Sequence, residues 1–121
     1  MIRIIGTRLL LPQGDTGFFT LPTKGVVSEG DVAVFSVKDP LTRATIIEKI
    51  LDAYQQYLVI EIEHEDTVKL SAGKYNWDLK IYRKPIYDED GVLVDAIEID
   101  SYYSAFKQPL LIVKEVAKSN V

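Results

Sequence analysis

The sequence predicts an all-β fold, a sandwich or barrel, and three observations predict it. Turn signals recur at short intervals, at Pro12-Gln13-Gly14-Asp15, Thr23-Lys24-Gly25, Ser28-Glu29-Gly30-Asp31, Lys38-Asp39-Pro40, Ser71-Ala72-Gly73 and Asp88-Glu89-Asp90-Gly91. Between them lie short runs rich in Val, Ile, Phe and Tyr, the punctuation expected of strands five to eight residues long. The third observation is a strict alternation. Tyr75, Trp77, Leu79 and Ile81 fall on one side of a period-2 ladder, and Lys74, Asn76, Asp78 and Lys80 on the other. That is a strand with one face in a dry core and one in water. It carries the sole tryptophan, so the densest part of the core is expected there.

Strands are expected near residues 2–10, 15–20, 31–38, 43–51, 57–63, 74–82, 92–99 and 110–117. The first apolar run is broken by Arg3 and Arg8. Val32-Ala33-Val34-Phe35-Ser36-Val37 is apolar on both faces, as suits a central strand. In Tyr57–Glu63, Leu58, Ile60 and Ile62 face one way and Glu61 and Glu63 the other. Lys80-Ile81-Tyr82-Arg83 and Val92-Leu93-Val94 flank a loop holding Asp90-Gly91, a strong hairpin dipeptide, and are expected to be antiparallel neighbours. Residues 43–56 read two ways. Ile46, Ile47, Ile50, Leu51, Tyr54 and Leu58 recur at helical spacing, with Asp39-Pro40 or Thr42 as a start. The β-branched density of Ala44-Thr45-Ile46-Ile47 and the all-β surroundings favour a strand, a short loop over 52–56 and a second strand. Ser101–Pro109 reads as a long loop whose aromatics pack against something, and residues 117–121 as a frayed tail.

At 121 residues the chain is expected to form one domain, 1–121, with residues 1–14 as an N-terminal strand or arm. Folding at this size buries roughly two-thirds of the unfolded chain's surface, enough for one core. No cysteine is present, which excludes disulfides, thiolate metal sites and cysteine nucleophiles. The net charge of −4 argues against a phosphate-neutralising surface, so nucleic acid is not an expected partner. No run approaches the roughly 18 apolar residues of a membrane span, and no export address is recognised, so no membrane partner is expected either.

The order of these signals carries a resemblance. Asp15-Thr16-Gly17-Phe18-Phe19 is followed by Glu29-Gly30-Asp31-Val32-Ala33-Val34-Phe35-Ser36-Val37-Lys38 and an aliphatic strand pair. Then come Glu65-Asp66-Thr67-Val68-Lys69-Leu70 with Gly73-Lys74-Tyr75-Asn76-Trp77-Asp78-Leu79, and a closing Leu110-Leu111-Ile112-Val113. Over roughly residues 15–115 this resembles the immunoglobulin-like β-sandwich modules of tailed-phage and prophage virion proteins, such as the N-terminal module of the baseplate upper protein. There a strand reading G-D-x-x-x-F-x-V-K precedes an E-D-T-x-x-L-x-x-G-x-Y-x-[YW]-D element. The resemblance implies an immunoglobulin-like antiparallel sandwich of about seven or eight strands. It also implies a structural, non-enzymatic role in a tail or baseplate, assembled from bacterial cytoplasm into the virion. Other virion subunits would be the partners, with homo-oligomers, and no cofactor. Within it, Asp66, Thr67, Leu70, Gly73, Tyr75, Trp77 and Leu79 are expected to be core and turn residues. The aromatic loop 101–109 departs from the family, whose modules usually close with a short Gly-containing hairpin.

Residue types that carry chemistry are sparse. Glu65-Asp66-Thr67 has hard-cation ligands, but such a triplet more often makes a turn whose Asp or Thr side chain bonds the backbone just downstream. Asp88-Glu89-Asp90-Gly91 looks like part of a calcium loop, yet Val92 occupies the third ligand position and the hairpin turn explains the residues without metal. His64, the only histidine, reads as a rim residue at a strand end, since zinc would have to lean on carboxylates. A hydrolase would need His64 gathered with Ser28, Ser36, Ser71, Ser101 or Ser104, and no G-x-S-x-G elbow marks any of them. Tyr82, Tyr87, Tyr102, Tyr103 and Phe106 form the candidate interface, because tyrosine offers a large apolar ring with a polar handle. The alternative use of Tyr82, Tyr102 and Tyr103 is stacking on sugar rings in a carbohydrate-binding module.

Overall fold

Trp77 is 1% exposed, and the fold is assembled around the strand that carries it. The structure is a computed structural model that describes residues 2–25, 27–99 and 108–113. In chain order these form β1 (Arg3–Ile5), β2 (Arg8–Pro12), β3 (Gly17–Pro22), β4 (Val32–Lys38), β5 (Thr45–Asp52), β6 (Tyr57–Ile62), the short helix α1 (His64–Thr67), β7 (Gly73–Tyr87), β8 (Leu93–Ile99) and β9 (Gln108–Val113). The expected all-β architecture is borne out. The expected first strand is two strands, folded back at Gly6-Thr7, where Gly6 has φ 62°.

The large sheet has the order β1-β2-β9-β7-β4-β5, with β8 also on β7, and the second sheet is β3-β6. One pair departs from the antiparallel expectation: β2 runs parallel to β9, with Leu9 opposite Leu110 and Pro12 opposite Val113. The large sheet is therefore mixed. Parallel neighbours cannot be joined by a tight turn, and here the whole intervening chain makes the connection.

β7 has neighbours on both edges. Trp77 is opposite Val37 and Gln108, and Ile81 is opposite Ala33 and Ile99. Thus β4 covers one edge, while β9 and then β8 share the other. Past Tyr82, which pairs with Val32 at the start of β4, β7 keeps only β8 as a partner among the described residues. The β7–β8 hairpin projects from the sheet there.

Residues 45–52 form a strand because that places Ile47 in the core, whereas Ile46, Ile50 and Tyr54, which completed the helical spacing, are exposed. β4 is central, as expected, with every residue from Ala33 to Val37 buried. Alternate residues of each strand meet between the sheets. Phe19 and Leu21 of β3 and Leu58, Ile60 and Ile62 of β6 close over Phe35, Val37, Trp77, Leu79, Ile81, Leu110 and Ile112. Phe19 stands edge-on to Phe35 at 5.5 Å, and Phe35 tilts against Trp77 at 5.7 Å, so three rings tie the layers together. The indole N–H donates to the Thr7 carbonyl at 2.9 Å, pinning the β1–β2 turn.

The Glu65-Asp66-Thr67 segment is a turn of helix, and the Asp66 and Thr67 side chains bond to backbone upstream rather than downstream. Asp66 Oδ2 accepts the upstream Glu63 N–H at 2.7 Å. The same atom meets Lys49 Nζ at 2.7 Å, joining α1 to β5. Thr67 is fully buried, and its hydroxyl accepts the Gly14 N–H at 2.8 Å. Gly14 has φ 76°, and a Cβ there would come within 3.2 Å of His64 Cε1, so the approach requires glycine. Gln13 Nε2 donates to Leu70 O at 2.6 Å, completing a seam between residues 13–14 and the corner.

Beyond the corner, Tyr75 OH donates to Ser71 O at 2.7 Å, bracing the entry to β7. Tyr75→Phe is expected to cost about 0.5–1.5 kcal/mol, the net worth of one neutral hydrogen bond. Urea denaturation measures it, and an unchanged midpoint would show that the hydroxyl does not hold the corner.

Candidate functional site

Three segments meet at one end of the sandwich-like structure: the loop 23–31 (of which residue 26 is not described), the turn 53–56, and the projecting hairpin. Backbone and side-chain bonds fold them together, and Ala53 and Val27 pack against the core. Asp31, 2% exposed, is the hub. Its Oδ1 accepts Arg83 Nε at 3.2 Å, and its Oδ2 accepts Arg83 Nη2 at 3.1 Å and the Ser28 N–H at 2.8 Å. Its carbonyl accepts the Ala53 N–H at 2.9 Å. Arg83 also reaches Ser28 Oγ at 3.2 Å. The Arg83 hydrogen bonds hold the Asp31 carboxyl below the usual carboxylate range; burial pulls the other way, and the Ser28 N–H and the guanidinium charge add to the lowering. Arg83 is pushed up correspondingly by the same hydrogen bonds.

The turn 53–56 is anchored separately. Thr23, 4% exposed, donates its N–H to Gln56 O at 3.0 Å and its hydroxyl to Gln55 O at 2.7 Å. Asp52 caps the other side, with Oδ1 accepting the Tyr54 N–H at 3.0 Å. Between loop and turn lies a groove of about 690 Å³, rimmed by Tyr54 and Tyr57.

The hairpin closes through Asp88, whose Oδ1 accepts the N–H groups of Asp90 and Val92, both at 2.9 Å. Gly91 follows at φ 79°. Asp90-Gly91 thus marks the hairpin as the sequence predicted, but the ladder is longer. Arg83 is opposite Ile97 and Tyr87 opposite Leu93, with bulges between. Ile86, Tyr87, Val92, Val94 and Ile97 on this hairpin are all exposed.

Comparison with known protein families, with curated proteins and with solved structures finds no match to this chain.

Of the predicted interface residues, Tyr82 and Tyr87 are brought to the same neighbourhood. Tyr82 is paired across to Val32 and half-buried, which raises its hydroxyl pKa above the ordinary value. Tyr87, exposed, shares a shallow groove with Val32, Ile50 and Asp52. Tyr102, Tyr103 and Phe106 lie outside the described residues, as do most of the loop 101–109 and the tail 117–121. Of the residues expected in the core and turn, Thr67, Trp77 and Leu79 are fully or almost fully buried, and Asp66, Leu70, Gly73 and Tyr75 are half-buried.

His64 sits in α1 rather than at a strand end, exposed, with Nδ1 bonded to Gly14 O at 2.6 Å. Since a carbonyl only accepts, Nδ1 carries the proton. None of Ser28, Ser36 or Ser71 is hydrogen-bonded to it, and Ser101 and Ser104 are not described. Asp88 is engaged within its own turn. Among the described residues no three His, Asp or Glu side chains stand together as metal ligands.

Two features were not foreseen. Nothing local in Asp31 or Arg83 signals that they pair across the fold. In the sequence Tyr54 reads as an apolar position of a periodic pattern, which hides its place on the groove.

Proposed function

We propose that this chain is a non-enzymatic assembly module of immunoglobulin-like topology, serving in a phage or prophage tail or baseplate and acting through protein–protein contacts. The observation that carries the assembly role is the projecting β7–β8 hairpin with its exposed Ile86, Tyr87, Val92, Val94 and Ile97. Side chains of this kind desolvate favourably against another subunit, and weak contacts repeated through an assembly add up to avidity.

Strand pairing supports the immunoglobulin-like reading. In such sandwiches strands B and E pair in one sheet, while C, F and G lie in the other, extended by C′ in variable-type domains. Here β3 pairs with β6, and β5-β4-β7-β9 are neighbours in the order C′-C-F-G. Tyr75 gives further support. It stands near the start of the F-like strand, two residues before Trp77, with its hydroxyl bonded back to Ser71, which is the arrangement of a tyrosine corner. The virion assignment rests on the resemblance, whose most specific element, Glu65–Thr67 through Tyr75-Asn76-Trp77-Asp78, makes that corner.

The test is sedimentation equilibrium over a range of protein concentrations. The wild type is expected to show a mass above the 13.7 kDa of one chain. Ile86→Glu with Val94→Glu, which places charge among the exposed apolar side chains of the hairpin, is expected to return it to the monomer with the thermal midpoint little changed. A monomeric wild type at every concentration, or an unaffected double variant, would count against the hairpin as a self-assembly surface.

A further inference from the structure

We infer that the groove between residues 22–25 with Val27 and the turn 54–57 is a saccharide-binding site, a property beyond assembly and independent of it. At about 690 Å³ it falls within the range of small-ligand sites. Its rim holds two tyrosines, Tyr54 at 56% and Tyr57 at 52% exposure, separated by Gln55 and Gln56. Aromatic rings left half in water at both ends of one short turn offer negative π faces. The C–H faces of a sugar ring carry the complementary partial charge.

The wall between them is held in advance. Thr23 engages the carbonyls of both glutamines, and Gln55 Nε2 donates to Asp52 O at 2.8 Å. Little ordering is therefore required on binding. The amide of Gln56 and the carbonyl oxygen of the Gln55 side chain remain to pair with ring hydroxyls, donor and acceptor within one turn. Charge points the same way. Although the chain has a net charge of −4, among the described residues no carboxylate lines this groove and Lys24 is its only charged side chain. A neutral or carboxylated sugar fits that lining, and a cationic ligand does not.

A proline-rich peptide also docks on aromatic-lined grooves. The paired side-chain amides favour the saccharide, because vicinal hydroxyls present donor and acceptor together whereas a polyproline segment offers mainly carbonyls. The same end of the structure thus holds two surfaces of different chemistry: an apolar hairpin, and a groove lined by tyrosines and side-chain amides.

The test uses the full chain, labelled with 15N, titrated with maltotriose, cellotriose, chitotriose and sialyllactose, and separately with a PxxP decapeptide. At least one of the four saccharides is expected to shift the backbone resonances of Thr23, Lys24 and Tyr54–Tyr57. Tyr54→Ala and Tyr57→Ala are each expected to weaken that binding about tenfold. Gln56→Ala should weaken it without touching either ring, so the proposal stays testable if a tyrosine variant folds poorly. Silence with all four saccharides, shifts confined to other residues, full binding by these variants, or a response to the peptide alone would each overturn it. The oligomeric mass of the same samples reports on assembly separately, so the two readings can fail independently.

Discussion

Alanine at position 77 is expected to lower stability by about 3–5 kcal/mol, the range for removing a large aromatic from a packed core. The indole is 1% exposed, tilts against Phe35 at 5.7 Å and donates to the Thr7 carbonyl. Its loss opens a cavity between the sheets, breaks the chain of rings that reaches Phe19, and unties the β1–β2 turn. For a domain of this size, stable by about 5–15 kcal/mol, that is a large fraction of the total. Because this is the only tryptophan, unfolding must be followed by far-UV circular dichroism rather than indole fluorescence. Trp77→Phe separates the two contributions: it keeps most of the apolar contact but leaves the Thr7 carbonyl without the indole donor, at about 1–3 kcal/mol. A loss below about 1 kcal/mol for the alanine variant would mean that the core is not organised around this ring.

That ring was readable in advance because a period-2 pattern reports burial directly. Tyr75, Trp77, Leu79 and Ile81 alternate with Lys74, Asn76, Asp78 and Lys80, and that alternation fixes which face of β7 turns to the core. The same reasoning located β6, and a run apolar on both faces located β4. It faltered where side-chain chemistry acts over long separations in the chain. Thr67 bonds to Gly14 and Arg83 to Asp31, and neither partner lies in the other's sequence neighbourhood. The parallel β2–β9 pair was hidden for the same reason, since no turn announces it. At Tyr54 two periodicities overlapped, and only the exposure of the side chain separates them.

The second large effect is expected at Asp31. Asn at this position conserves volume but removes the charge that Arg83 pairs with, and sets an amide donor near the guanidinium or the Ser28 N–H. A cost of about 1.5–3 kcal/mol at neutral pH is expected, the scale of hydrogen bonds to a charged group. It is smaller than for a wholly buried pair because Arg83 is partly exposed. The pH dependence gives the sharper reading. The folded-state pKa of Asp31 lies below its ordinary value of 3.8, so the unfolded chain binds a proton first as pH falls. The stabilisation is therefore complete above that value and disappears as pH drops through the folded pKa. The stability gap between wild type and Asp31→Asn should be constant from pH 7 to about pH 5 and shrink below about pH 4. Asp39, lowered mainly by the Thr42 and Leu41 N–H groups, titrates the same way in both proteins, so some acid sensitivity persists in the variant. A gap that stays constant down to pH 2.5 would exclude the Asp31 charge as its source.

The place of β9 has a consequence for synthesis on the ribosome. It lies between β2 and β7, with Leu110 flanked by Leu9 on one side and Tyr75 on the other. Until residues 108–113 have left the exit tunnel, the first hairpin has no seat beside the tryptophan strand, and Leu9 and Leu11 have no inserted neighbour to cover them. Loops closed over such spans form slowly. The nascent protein must therefore carry an unfinished seam until those residues emerge, and completes its sheet by receiving a strand into the gap rather than by adding one at the margin.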